Sequence, residues 1–186
     1  MNQQDQKPCV FFDRDGVVNR SPGAGYVTRV EEFLLNDGLF ELMGAVAEFG
    51  FVAVLVTSQR CVGKGLLSAH GLEEIHGKLQ SELAQHDLAF LDIYAFLGTP
   101  ETEAWEKPNP DMILLAAEKH GIDLAASWMI GDADRDIVMG QRAGVGKTLR
   151  IVSDKPVGVS ADFTAGNLAE AREIFVAEQE PGASGV

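Results

Sequence analysis

The amino-acid sequence predicts an α/β domain of three layers, a doubly wound, mainly parallel sheet covered by helices on both faces. Three observations carry that expectation. Short, continuously apolar runs alternate with longer segments whose apolar residues recur at helical spacing. Such strand-helix alternation is the pattern of right-handed βαβ crossovers. With 186 residues, 46% of them apolar, the chain is long enough for one full core and too short for two comfortable ones. The expected division is a flexible tail over 1–7, a single domain over 8–178 and a flexible tail over 179–186.

Cys9 to Phe12 reads as the first strand, too short and too rich in β-formers for a helix. A loop with Pro22, Gly23 and Gly25 follows, then an amphipathic helix from about Gly38 to Phe49, ended by Gly50. Phe51 to Val56 is a second apolar strand. Ser68 caps a helix running to about His86, on which Leu72, Ile75, Leu79 and Leu83 form one apolar stripe. Asp92 to Leu97 reads as a strand and 98–109 as a loop. A helix starts near Pro110, a residue suited to a first turn, and ends near Gly121. Ser127 to Ile130 is a short strand, followed by a helix to about Ala143, a further strand within Gly144 to Val152, an edge strand at Ala161 to Thr164 and a closing helix from Leu168 to Gln179.

The formal net charge is −13, and the 15 basic residues are scattered, so no basic stripe is offered to a nucleic-acid backbone. No apolar run approaches a membrane span, and the polar start, Met1 to Lys7, lacks the apolar stretch of a secretory signal. A soluble cytoplasmic protein, a monomer or small homo-oligomer, is expected. Cys9 and Cys61 read as reduced, buried thiols. The four histidines lack any metal-binding spacing and read as packing or surface residues.

The most informative stretch is Phe11-Phe12-Asp13-Arg14-Asp15-Gly16, where a strand delivers two carboxylates one residue apart and then a glycine turn. Ligands of open α/β sheets bind at that edge. Alternate residues of an extended segment point the same way, so Asp13 and Asp15 are placed toward one cavity, where their repulsion calls for a divalent cation or a shared proton. Other strand ends or adjoining loops add Thr57 and Ser58, then Lys107, then Asp132, Asp134 and Asp136.

In that order these segments resemble the four motifs of the haloacid dehalogenase superfamily of phosphohydrolases, over roughly residues 8 to 178. The resemblance implies a Rossmann-like core and catalytic roles for Asp13, Asp15, Thr57 and Lys107. Asp13 is the nucleophile that forms an aspartyl-phosphate, and Asp15 the acid and then the base. Thr57 and the amides of Arg14 and Ser58 hold the phosphoryl oxygens, and Lys107 supplies charge. It also implies a Mg²⁺ cofactor held by Asp13, the backbone carbonyl of Asp15 and Asp132, with Asp136 or Asp134 behind them. Asp134 equally suits the amino end of the next helix through its dipole.

Neither interval where caps usually enter is long enough for one, so no cap domain is expected. Asp13 to Asn19, Gly25-Tyr26-Val27 and Lys107-Pro108-Asn109-Pro110-Asp111-Met112 resemble the capless histidinol-phosphatase-like subfamily, which includes heptose bisphosphate and histidinol-phosphate phosphatases. The resemblance implies a small phosphorylated metabolite as partner, with Gly25, Tyr26, Ser58, Gln59 and Arg60 near it. Three departures stand out. The segment Leu97 to Glu106 has no Cys or His, so the zinc loop of many members is not expected. Glu106 occupies the position before the lysine where members often carry a substrate-recognising Arg, and an acid there repels a second phosphate. Thr57-Ser58-Gln59 replaces a Thr-Asn-Gln segment, with Arg60 offering a cation next to it. A polynucleotide 3′-phosphatase suits an open site but not the acidic balance, and a noncatalytic phosphate-binding protein is the alternative outside enzymes.

Overall fold

The computed structural model describes residues 6–180, so residues 1–5 and 181–186 of the two expected tails lie outside the described residues. A single six-stranded sheet runs through the chain, formed by β1 (Cys9–Phe12), β2 (Val52–Ser58), β3 (Asp92–Phe96), β4 (Trp128–Gly131), β5 (Lys147–Ile151) and β6 (Phe163–Ala165). Its order is β3-β2-β1-β4-β5-β6, and every neighbouring pair is parallel. The helices are α1 (Leu39–Glu48), α2 (Ala69–Ala84), α3 (Asp111–His120), α4 (Asp134–Ala143) and α5 (Leu168–Ala177).

Alternation along β1 sorts its side chains onto two faces. Val10 and Phe12 join the larger core with Leu42 and Val46 of α1, Ile75, Leu79 and Leu83 of α2, and Phe175 of α5. Cys9 and Phe11 join the other core with Met112 and Ile113 of α3 and Met139 of α4. Both faces of the sheet are therefore dry, which is why β1 and β4 read as unbroken apolar runs. Ser68 caps α2 by accepting from the Gly71 amide at 2.9 Å, as its sequence position predicts.

The differences from the sequence reading are local. β2 continues through Thr57 and Ser58, because the ladder to β3 pairs them with Ala95 and Phe96. The edge strand sits at Phe163–Ala165, not at 161–164, since Asp162 turns its carboxylate onto the Thr148 amide at 2.7 Å and its own amide onto the Thr148 hydroxyl at 3.1 Å. Three 3₁₀ turns, Val30–Glu32, Pro100–Trp105 and Leu124–Ala126, occupy segments that read as loop, being too short to show an apolar period. Lys7, assigned to the amino-terminal tail, pairs with the backbone at Gly121 and Asp123.

Leu79 is fully buried in the larger core. Leu79→Ala should cost about 2–5 kcal/mol of unfolding free energy in urea titrations, through lost burial plus the cavity left behind. His76, on the same helix, carries a fully buried Nε2. Burial, then the nearby Arg14 charge, pushes its imidazole down to about 4. The native state thus takes up its proton later than the unfolded chain, so this stability is complete above about pH 6.5 and is lost as pH falls toward 4. Urea titrations across that window should show His76→Leu retaining stability that the parent loses, by on the order of 1–3 kcal/mol.

Candidate active site

Three adjacent strand ends, in the sheet order β2-β1-β4, bring together Thr57, Asp13 and Asp132. Parallel neighbours lie about 4.8 Å apart, so residues just past their carboxyl ends become neighbours without any special loop. The Asp13 amide extends the ladder by donating to Ile130 at 2.9 Å, which sets Asp13 directly beside the turn carrying Asp132. Asp136 arrives from the first turn of α4, where its Oδ2 accepts from the Ala133 amide at 3.0 Å. Gly131 is required at this point: a Cβ there would lie 2.2 Å from the Asp136 Cβ.

Lys107 is delivered by the segment between β3 and α3, on the same face of the sheet as α4. The 3₁₀ turn Pro100–Trp105 is tied down by Thr102, whose hydroxyl accepts from the Leu97 amide at 3.0 Å, and by Trp105, whose ring meets Tyr94 of β3 edge-on. Lys107 Nζ then donates to Asp13 Oδ1 at 2.6 Å and to Asp136 Oδ1 at 2.8 Å, all three side chains being buried. Burial works to raise the Asp13 carboxyl, but the charge and hydrogen bond of Lys107, joined by the charges of Arg135 and Lys155, together outweigh it and hold the group below its ordinary value. Burial likewise works against the Lys107 ammonium, and the two carboxylates overcome it and hold the group above its ordinary value.

Asp132 behaves differently. Burial, then the charge of Asp13, pushes its carboxyl up to about 6, against the opposing pull of Lys155. Its Oδ1 accepts from Lys155 Nζ at 2.5 Å, while its buried Oδ2 has no partner. One oxygen each of Asp13, Asp132 and Asp136 lies within 4.8 Å of the others. A hard divalent cation fits this donor set, which consists of carboxylate oxygens with one of them unspent. Three carboxylates against the ammonium groups of Lys107 and Lys155 also leave a net negative charge for it to neutralise. Gly16 keeps the space open: its φ is +98°, and a Cβ there would lie 2.2 Å from Asp132 Oδ2.

The Asp15 carboxylate stands outside this cluster. Arg14, fully buried against the Phe33 ring, folds back onto it through Nε and Nη2 at 3.0–3.2 Å. Asn19 Nδ2 donates to its Oδ1 at 3.0 Å and Gln59 Nε2 to its Oδ2 at 2.9 Å. Gln59 also donates to the Thr57 hydroxyl oxygen at 2.8 Å, which leaves the Thr57 proton free for an acceptor in the site. Arg14 and Gln59 thus position Asp15 and Thr57 from beneath with their side chains.

Asp15, Ser58, Gly25, Tyr26 and Arg60 line one cavity of about 180 Å³, together with Arg135 and Lys155. Tyr26 is steadied by Lys64, whose Nζ donates to its hydroxyl at 2.9 Å. Arg60 forms an ion pair with Glu106, so the acid before Lys107 neutralises the cation nearest to it. Asp134 lies away from the cluster: its carboxylate accepts from Arg150 at 2.6 Å and from the amides of Gly158 and Val159, and so anchors the loop after β5. The sequence reading passed over Asn19, Arg135 and Lys155. Asn19 and Arg135 stand within the motif segments, but Lys155 follows an ordinary strand and carries no local signal.

The HAD-hydrolase-like family profile matches residues 104–150. A D-glycero-alpha-D-manno-heptose-1,7-bisphosphate 7-phosphatase of Burkholderia mallei is 33% identical, over 94% of this chain and 95% of that protein. The D-glycero-beta-D-manno-heptose-1,7-bisphosphate 7-phosphatase of Escherichia coli K12 is 30% identical, over 94% and 96%. Among solved structures, the D,D-heptose 1,7-bisphosphate phosphatase of B. bronchiseptica, complexed with magnesium and phosphate, superposes with a TM-score of 0.79 at 26% identity, covering 92% of this chain and 99% of that one. Matched to these relatives over nearly the whole of both chains, the protein belongs to the haloacid dehalogenase superfamily and, within it, to the phosphatase family that contains these enzymes.

Proposed function

We propose that this chain is a Mg²⁺-dependent phosphomonoesterase that removes one phosphate from a sugar bisphosphate, with heptose 1,7-bisphosphate as the leading substrate, through an aspartyl-phosphate on Asp13. The observation that carries the reading is the Lys107 ammonium clamped between Asp13 and Asp136 beside an Asp132 with one unspent oxygen. The substrate follows from the names of the relatives matched over nearly the full chain.

Asp13, kept ionised by Lys107, attacks phosphorus through a carboxylate oxygen as the bond to the ester oxygen breaks. Asp15 gives its proton to the departing sugar alkoxide, then takes one from the water that attacks the aspartyl-phosphate, releasing inorganic phosphate and restoring Asp13. Thr57 and the amides of Arg14 and Ser58 hold the phosphoryl oxygens while Lys107 offsets their charge. Asp13, Asp132 and the Asp15 carbonyl would hold Mg²⁺, with Asp136 orienting Lys107 behind them. Bound there, the cation would supply neutralisation of the phosphate charge. Gly25 and the side chains of Tyr26 and Arg60 border the sugar, and Glu106 sets the charge of that border through Arg60.

Phosphate release from a panel of α- and β-anomeric heptose bisphosphates, histidinol phosphate and 3′-phosphorylated oligonucleotides tests the reading. Selective turnover of a sugar bisphosphate is expected, and turnover confined to the oligonucleotide would overturn it. Asp13→Asn should lower turnover at least a thousandfold with an unchanged circular-dichroism spectrum, and chelation should silence the parent enzyme until Mg²⁺ is restored. Gly16→Ala should weaken Mg²⁺ binding at least tenfold in calorimetric titrations, because its methyl group displaces Asp132 Oδ2.

A further inference from the structure

A second cavity, of about 240 Å³, opens at the carboxyl ends of β5 and β6, next to the catalytic site and sharing Lys155 with its substrate cavity. Arg150, on β5, lines it and is 3% exposed. Its Nη2 donates to Asp134 at 2.6 Å and to the Val159 carbonyl at 3.0 Å, yet Nε and Nη1, both buried, have no hydrogen-bond partner. A buried guanidinium with unspent donors is costly unless a ligand completes it. Ser160 and Thr164 bring hydroxyls to the rim, and Val152 and Val157, more than half exposed, form an apolar wall that could cover a short carbon body.

The charges at the cavity are balanced, since Arg150 pairs with Asp134 and Lys155 with Asp132, which itself lines the cavity, so it is the unspent donors of Arg150 that call for an anion. Lys155 has Asp132 as its salt-bridge partner among the described residues, and Asp132 belongs to the carboxylate cluster suited to a divalent cation. A cation there would take the unpartnered Asp132 Oδ2, so the Lys155 bond to Oδ1 is kept, and Lys155 lines both cavities from that position. At the substrate mouth itself, Arg60 is already neutralised by Glu106. Arg135 also lines that mouth, and Arg150 adds a further cation next to it with two donors unspent.

We propose that this cavity is an anion subsite in which Arg150 and Lys155 bind a phosphate or carboxylate group. That group is either the non-reacting phosphate of the substrate, an option that rests on the phosphatase reading above, or a free anion acting beside the site.

Two measurements on the Mg²⁺-loaded protein separate these sources. In the first, KM and kcat are compared for heptose 1,7-bisphosphate and heptose 7-phosphate. In the second, inorganic phosphate is titrated calorimetrically, with two binding sites expected in the parent protein. If the substrate fills the subsite, Arg150→Met raises KM for the bisphosphate at least tenfold, changes kcat less than twofold and leaves the monophosphate untouched. If a free anion fills it, both kinetic comparisons are unchanged and one of the two phosphate sites is lost. Thr164→Glu, which sets a negative charge at the exposed rim, should reproduce either result in a protein whose fold is intact, and it carries the test if Arg150→Met does not fold. Unchanged kinetics together with an unchanged phosphate titration in Thr164→Glu would overturn the proposal. So would a bisphosphate-selective loss in Arg135→Met that the Arg150 and Thr164 variants lack. A parent protein that hydrolyses no phosphate ester would defeat the phosphatase reading alone, because the phosphate titration remains readable.

Discussion

The ammonium of Lys107 is the constraint on which the rest of the site depends. Asp13, Asp132 and Asp136 are all buried at one end of the sheet, and isolated carboxylates there would meet a desolvation penalty of several kcal/mol each. Lys107 bonds two of them at once and is itself fully buried, so its position is as closely determined as theirs. This explains why the segment before it is organised rather than loose: the turn at Pro100–Trp105, fixed by Thr102 and Trp105, carries the lysine to the one place where its charge is compensated. Asp132 is the member that Lys107 does not reach, and it is the one whose carboxyl is pushed up and whose second oxygen stays unpaired. The imbalance of the cluster is concentrated on the residue best placed to receive a cation.

The polar layer beneath Asp15 follows a different rule. Arg14, Asn19, Thr57 and Gln59 are buried polar residues, and all four make hydrogen bonds within one connected group. Such groups specify geometry through the bonds they make, and only Arg14 Nη1 and Asn19 Oδ1 of the group are buried without a partner among the described residues. Here they fix the Asp15 carboxylate by donors on both of its oxygens, and they turn the Thr57 hydroxyl so that its proton is available. The two halves of the site therefore have separate supports: Asp13, Asp132 and Asp136 are held by charge, and Asp15 by a hydrogen-bond network rooted in β2 and the turn after β1.

What the sequence made legible follows the range of the interactions. The strand β1 was readable to its last residue because both of its faces are dry, and Asp13 and Asp132 were each readable as lying at a strand end, whereas their adjacency depends on β1 and β4 being neighbours in the sheet. α2 was readable from its Ser68 cap and its apolar stripe. The 3₁₀ turns were not, since three to six residues give no period. The roles of Arg14 and Gln59 were only half legible: their neighbourhood to the site is local, but the inward course of their side chains depends on contacts across 44 residues of chain in the case of Gln59 and Asp15. Lys155 and Arg150 had no legible signal, because each depends on a partner supplied by another strand end and neither stands in a patterned segment.

The pairing of Arg60 with Glu106 bears on specificity more than either residue does singly. In sequence the two read as opposed features, a cation gained and a cation lost; in the fold they touch and cancel. An open site with a neutral rim has little electrostatic preference between mono- and bisphosphates at Arg60, whereas Arg135 also lines the cavity. In the proposed reading, selectivity for a doubly phosphorylated sugar draws on Arg135 and on the region after β5, where the loop is anchored by Asp134 and Arg150 keeps two donors unspent. Asp134 thereby connects the two regions: it opens the helix that carries Asp136 into the catalytic cluster, and its carboxylate sets the loop that shapes the neighbouring cavity.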